Sequence, residues 1–222
     1  MGGTITALVA QKRDKDRVSI YLDGKFAFGL AALQAVKLRR GQVLSDDDIA
    51  RLRQLDGVEK AHDRALHFLS FRPRSEAEVR KNLRGADFPA DVIEAAVDRL
   101  KRAGLLDDRA FAQYWLENRS QFSPRSARAL KAELRRKGVD VETIDASLDD
   151  AAHDDKDAAF RAALPRARRL AALDAQTFKH KLGAYLARRG FGYETALDAV
   201  RRAWRAVQGD ESDSSFDTTS ED

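Results

Sequence analysis

Acid–base chemistry would be sought first at two acidic runs, Asp107-Asp108 and Asp46-Asp47-Asp48. Both stand just before segments with helical apolar spacing. A carboxylate there accepts hydrogen bonds from the free N–H groups of a helix start and meets the positive end of its dipole. Both runs are therefore expected to cap helices rather than to catalyse. His62, His67, His153 and His180 are scattered, and His62 and His67 stand five apart without an HExxH pattern, so no metal site is expected. The sequence has no cysteine, which removes thiolate nucleophiles, disulfides and cysteine-ligated zinc or iron–sulfur centres. No Gly-rich phosphate loop, dinucleotide-binding turn or Ser–His–Asp arrangement is visible. The expectation is a non-enzyme with no cofactor and no metal.

What remains is the chemistry of cations. The 222 residues hold 40 Lys and Arg against 36 Asp and Glu, a net charge of +4. Six of the carboxylates fall in residues 209–222, which contain no Lys or Arg, so the preceding body has 40 cations against 30 acids. A basic body attracts polyanions; the acidic end competes for the same surface or simply solubilises the chain. The densest cluster lies between residues 125 and 136. At 100° per residue, Ala127, Leu130 and Leu134 share about 60° of arc, while Arg125, Arg128, Lys131, Arg135 and Arg136 spread from about 40° to 180°. Glu133 lies outside that arc, so no carboxylate interrupts the cations. Phosphates would neutralise such a face and release counterions; a solvated basic face is the plainer alternative. Arg72 and Arg74 flank Pro73, and further groups stand at Arg166, Arg168 and Arg169, at Arg188 and Arg189, and at Arg201, Arg202 and Arg205. Nearby acids imply helix-surface ion pairs for some of them. Phe111 with Trp115, and Phe178 with Leu182 and Tyr185, have core spacing, whereas Tyr193 and Trp204 are candidates to reach a surface.

These side chains are positioned by elements that recur. Val79, Leu83, Phe88, Ile93 and Val97 reappear 51 residues later as Leu130, Leu134, Val139, Ile144 and Leu148. A looser third copy, Leu182, Leu186, Phe191, Ala196 and Val200, follows 52 residues further on. Such a period marks stacked supersecondary units, which build long surfaces for polymers or proteins. Only 4 Pro and 13 Gly interrupt Ala-, Leu- and Arg-rich runs that favour helix. Ser75 with Glu78 reads as a capping box, Pro89 as a first-turn proline, and Gly104, Gly138 and Gly190 as helix stops. Ser123-Pro124 is expected to start the second helix of repeat two, 151–157 to be a polar joint or else continuous helix, and Pro165 to kink the first helix of repeat three. Earlier, strands are expected at 4–10, 17–22 and 25–28, with a two-residue hairpin turn at Asp23-Gly24. A short helix at 31–36 follows, then a helix capped by Ser45 and Asp48, and a hinge near Asp56-Gly57. No run of about 18 apolar residues and no signal-peptide pattern is present, so a cytosolic protein is expected. With no unexplained apolar stripe, it is expected to be a monomer.

Three motifs in order add a resemblance. Arg72-Pro73-Arg74-Ser75-Glu76, followed by Glu78 and Leu83, is similar to the RPRSE opening of the RecX regulatory family. Gly104-Leu105-Leu106-Asp107-Asp108, then Phe111-Ala112 and Trp115 to Arg119, resembles its GYLDD segment. Leu130 to Val139 resembles its EL..KGI segment. Leu105 departs from the family's Tyr, and Ser123-Pro124-Arg125-Ser126 from its often Gly-containing turn.

The resemblance implies a mainly α fold: three tandem three-helix repeats (61–106, 107–152, 153–208) in an elongated curved array. A β-hairpin and helix module (1–60) that fits this architecture precedes them, and composition, not the resemblance, adds a disordered acidic tail (209–222). It implies no cofactor and a partnership with the recombinase RecA and its filament on single-stranded DNA, double-stranded DNA being a further partner. Strand exchange and ATP turnover would be inhibited. Arg72, Arg74, Arg119, Arg125, Arg128, Lys131, Arg135 and Arg136 would touch phosphates or acidic RecA surface. Two other readings stand beside it, a stand-alone nucleic-acid-binding protein and a scaffold for an acidic protein partner.

Overall fold

The computed structural model describes residues 2–12 and 14–208; the acidic segment 209–222 lies outside the described residues. The chain divides into two compact units, Met1–Leu106 and Asp107–Asp222. In the first, β1 (Gly3–Ala10), β2 (Arg17–Leu22) and β3 (Lys25–Ala31) form an antiparallel meander that buries Ile5, Ile20, Leu22, Phe28 and Leu30. Asp23 and Gly24 make the expected turn with φ of 48° and 83°, the positive pair that matches strand twist. Helix α1 (Ala32–Ala35) is a single turn. Strand β4 (Val43–Leu44) pairs with β1, giving the order β3-β2-β1-β4. Two residues show no alternation, so the sequence pattern does not reveal this strand.

Helix α2 (Asp46–Leu69) opens with the expected capping box: Ser45 Oγ accepts the Asp48 N–H at 3.1 Å, and the Asp48 carboxylate accepts the Ser45 N–H at 3.0 Å. It then runs unbroken for 24 residues. This corrects the hinge expected at Asp56-Gly57, and the helix also crosses the boundary expected at 60/61. Gly57 serves close packing instead of a turn, since a Cβ there would sit 3.3 Å from a Val92 methyl. Asp56 is buried, accepts from Arg17 at 3.0 Å and pairs with Lys60 at 2.8 Å, which pins the helix to β2. The first half of α2 covers the sheet through Ile49 and Leu52. Its second half packs Ala61 and Ala65 with α3 (Glu76–Arg84) and α4 (Ala90–Arg102) around Val79, Leu83, Ile93, Val97 and Leu100.

In the second unit, α5 (Asp108–Phe122), α6 (Ala127–Arg136) and α7 (Val141–Asp150) enclose Phe111, Leu116, Leu130, Leu134, Val139, Ile144 and Leu148. Helices α8 (Asp155–Leu170), α9 (Ala175–Arg188) and α10 (Tyr193–Gln208) enclose Phe178, Leu182, Leu186, Phe191, Val200 and an alanine seam. Apart from the partly buried Phe88, every residue of the sequence period is buried, so the period is one of packing. Two boundaries are corrected. The cap of α6 is Ser126, whose Oγ accepts the Ala129 N–H at 3.2 Å, while Ser123 ends α5. Helix α8 starts after Asp154, so the joint is shorter than expected, and the helix continues through an exposed Pro165. Trp204 is buried edge-on against Phe178, with centroids 4.8 Å apart, whereas Tyr193 is exposed.

The two trios of this unit are fastened at one loop. Arg189 donates to Ser123 Oγ at 3.1 Å and to the Pro124 carbonyl at 2.9 Å, and the Ala127 N–H donates to Asp155 Oδ1 at 2.7 Å. Gly190 has φ of 91°, and a Cβ on it would stand 2.7 Å from Ser126 Oγ and 2.8 Å from the Ala129 Cβ. Both its conformation and the close approach require glycine there.

Candidate nucleic-acid interface

Burial of Leu130 and Leu134 turns Arg128, Lys131, Arg135 and Arg136 to solvent. Among the described residues, Arg128, Arg135 and Arg136 form no ion pair with a carboxylate. Lys131 does: its Nζ lies 2.7 Å from Asp145 Oδ1 on α7. That pair is half exposed, and such pairs are weak in water, so a phosphate can exchange with Asp145.

Arg125 is not on this face. It precedes the Ser126 cap, where helical rotation no longer applies, and its Nε lies 3.0 Å from Glu133 Oε1. The other oxygen of Glu133 accepts from Arg119 Nε at 2.8 Å and from the Trp115 indole N–H at 2.9 Å. Arg119 and Lys137 also approach the Trp115 ring, each at 4.5 Å. The expectation of five uninterrupted cations is therefore corrected. Glu133, outside the arc on the wheel, gathers Arg119 on α5 and Arg125 in the loop before α6.

In the first unit, Arg72 makes a two-point pair with Glu78, at 2.9 and 3.3 Å, and donates to the Pro73 carbonyl at 2.8 Å. Arg74 stacks on Phe68 at 4.0 Å, and burial, followed by the Arg72 charge, lowers its pKa. Glu76 holds Arg80 at 2.8 Å and Lys101 at 2.7 Å, so these cations are neutralised locally. In the third trio, Arg168, Arg169 and Arg188 are exposed, while Arg202 stacks over Phe160 at 4.3 Å and Arg189 over Tyr185 at 4.7 Å.

The acidic runs act as caps. Asp107 accepts the N–H groups of Arg109 and Ala110 at 2.8 and 3.2 Å, and Asp46 to Asp48 occupy the first turn of α2. Glu59, His62 and Asp63 bring their possible metal-ligating atoms within 4.8 Å of one another. Glu59 is already committed to Arg99 at 2.7 Å, which makes it a poor cation ligand. A hollow of about 420 Å³ between α9 and α10 is lined by Lys179, His180, Ala184, Phe191, Tyr193 and Leu197 among others, and its described lining holds no carboxylate.

Residues 3–45 match the regulatory protein RecX N-terminal domain, 61–100 the first RecX three-helix domain and 107–148 the second. The chain is 32% identical over 200 residues to the regulatory protein RecX of Bacillus licheniformis, covering 89% of this chain and 76% of the relative. It is also 32% identical over 202 residues to that of Bacillus subtilis, covering 88% and 75%. The chain belongs to the RecX family. The crystal structure of a regulatory protein RecX superposes with a TM-score of 0.68 at 29% identity, over 87% of this chain and 96% of that one. RecX from Lactobacillus salivarius shares the fold, with a TM-score of 0.56 at 22% identity over 67% and 97%. These relatives are named as regulatory proteins.

Within the RecX pattern, Leu105 is half exposed, so its departure from Tyr alters surface rather than core. The Ser123-Pro124 departure is the loop that Arg189 clamps. The sequence reading singles out Glu133, Trp115 and Arg189 but none of their contacts, and it assigns nothing to Lys137. Glu133 lies 14 and 18 residues from the α5 groups it binds, beyond any local spacing rule.

Proposed function

We propose that this protein regulates the RecA recombinase. It binds RecA and the RecA filament on single-stranded DNA in the cytoplasm, restrains strand exchange, ATP turnover and filament growth, and catalyses nothing itself. Membership of the RecX family supports the regulatory role. The observation that carries the DNA part is the set of exposed guanidinium groups, Arg128, Arg135 and Arg136, that no described carboxylate neutralises. Phosphate contacts from such groups position a protein without reading sequence, which suits a filament formed on any DNA. Lys131 joins them by leaving Asp145. Arg72, Arg74, Arg119 and Arg125 rank behind, because each must give up an existing partner or stacking contact. The protein acts as a monomer without cofactor or metal.

The test is a DNA-dependent RecA ATPase assay with the protein titrated in, repeated with the triple variant Arg128→Glu, Arg135→Glu, Arg136→Glu. The wild type inhibits. The variant needs about tenfold more protein, and its DNA affinity loses about one unit of salt slope per contact removed. DNA binding without any effect on RecA would identify a stand-alone nucleic-acid binder. Absence of salt-sensitive DNA binding would favour a scaffold for an acidic protein.

A further inference from the structure

Each unit carries one copy of a short surface element. Phe71-Arg72-Pro73-Arg74-Ser75 recurs as Phe122-Ser123-Pro124-Arg125-Ser126, with every position 51 residues on and only the second residue changed. The two copies also agree in structure. Ser75 and Ser126 are buried caps, at 0% and 1% exposure, that start α3 and α6. Arg74 and Arg125 both turn inward so that their Nε atoms are buried. Phe71 and Phe122 point the other way, at 69% and 71% exposure. The third trio lacks the element; Ala172, Leu173 and Asp174 precede α9.

Core packing explains the serines and the inward arginines but not the phenylalanines. A ring held two-thirds in water at both repeats is a standing cost unless something covers it. Its neighbours in sequence are cationic, with their guanidinium groups held by Glu78, Phe68 and Glu133. Arg72 and Arg74 follow Phe71, and Arg119 and Arg125 stand three residues either side of Phe122. The His67 imidazole braces the Phe71 ring edge-on at 5.0 Å. An exposed aromatic face suits an unpaired base, and a repeated element suits a polymer of repeating chemistry.

We propose that Phe71 and Phe122 each stack an unpaired base of single-stranded DNA. This rests on the DNA-binding reading above and names what that surface adds to phosphate contact. Stacking gives the protein a preference for single strands over duplex, whose bases are already stacked.

The experiment measures anisotropy of labelled oligo-dT, an abasic oligonucleotide of the same length and a duplex, with wild type, Phe71→Ala, Phe122→Ala, the double variant and Phe71→Trp/Phe122→Trp. Each single Ala variant is expected to bind oligo-dT about fivefold or more weakly, and the double variant weaker still. Binding to abasic and duplex DNA stays unchanged, the Trp pair restores oligo-dT binding, and far-UV circular dichroism is unaltered. Wild-type protein that binds oligo-dT no better than abasic DNA overturns the stacking while leaving phosphate binding intact. Loss of RecA inhibition with unchanged oligo-dT affinity also overturns it, by assigning the rings to a protein contact. If the wild type shows no salt-sensitive DNA binding, both this inference and the DNA-binding reading fall.

Discussion

Glu133 takes hydrogen bonds from Trp115 and Arg119 and the charge of Arg125, so one carboxylate governs two cations. Glu133→Gln should have effects of opposite sign. Stability falls by about 1–3 kcal/mol as partly buried guanidinium groups lose their counter-charge, read as a lower urea midpoint. DNA affinity rises at low salt, because Arg119 and Arg125 become available to phosphate. The wheel makes the exposure of Arg128, Lys131, Arg135 and Arg136 legible, because all four lie within or beside regular helix. It misplaces Arg125 because the helix has not yet begun there, and it misses the reach of Glu133 because Trp115 and Arg119 belong to another helix. His62 gives a pH dependence. Burial, then the nearby Arg99 charge, holds its pKa below the ordinary 6.5. Below about pH 6.5 the unfolded chain takes up a proton that the folded chain resists, so stability falls with decreasing pH. His62→Gln should flatten that slope below about pH 6.5 in denaturant titrations.

At the level of elements, caps and the hairpin are readable because their signals are local: Ser45 with Asp48, Ser75 with Glu78, and Asp23-Gly24 all act where their types suggest. Gly57 is the instructive failure. A glycine beside an acid resembles a turn, yet this one clears space for Val92 while Asp56 reaches Arg17 across 39 residues. Nothing local separates the two uses of glycine. Gly190 reads correctly as a helix stop, but its second role against Ser126 and Ala129 is tertiary. Gly190→Ala combines a left-handed backbone with a 2.7 Å approach. It should lower the thermal midpoint of the second unit, at a cost of about 2 kcal/mol or more. Near-normal stability of that variant would show that the Arg189 loop yields easily.

For the whole molecule, each unit has its own cores, and both tryptophans, Trp115 and Trp204, belong to the second. Indole fluorescence therefore follows one unit while far-UV circular dichroism follows both. Asp56→Ala strips Arg17 of its buried partner and should destabilise the first unit by about 3 kcal/mol. The expected result is an early dichroism transition with an unmoved fluorescence midpoint; a shared shift would mean that the units melt together. The sequence period makes the trios legible, whereas this division of labour between probes emerges only from where the cores close.

The unbroken α2 makes the sheet and the first trio ends of a single rod about 36 Å long. One residue inserted midway would screw the sheet roughly 100° about that rod and advance it about 1.5 Å, swinging Arg17 away from Asp56. Seven extra residues would return it to within about 20° of its starting orientation, though about 10 Å further out. Length changes in this rod are thus quantised in paired turns, a constraint that the loops between the helices do not share.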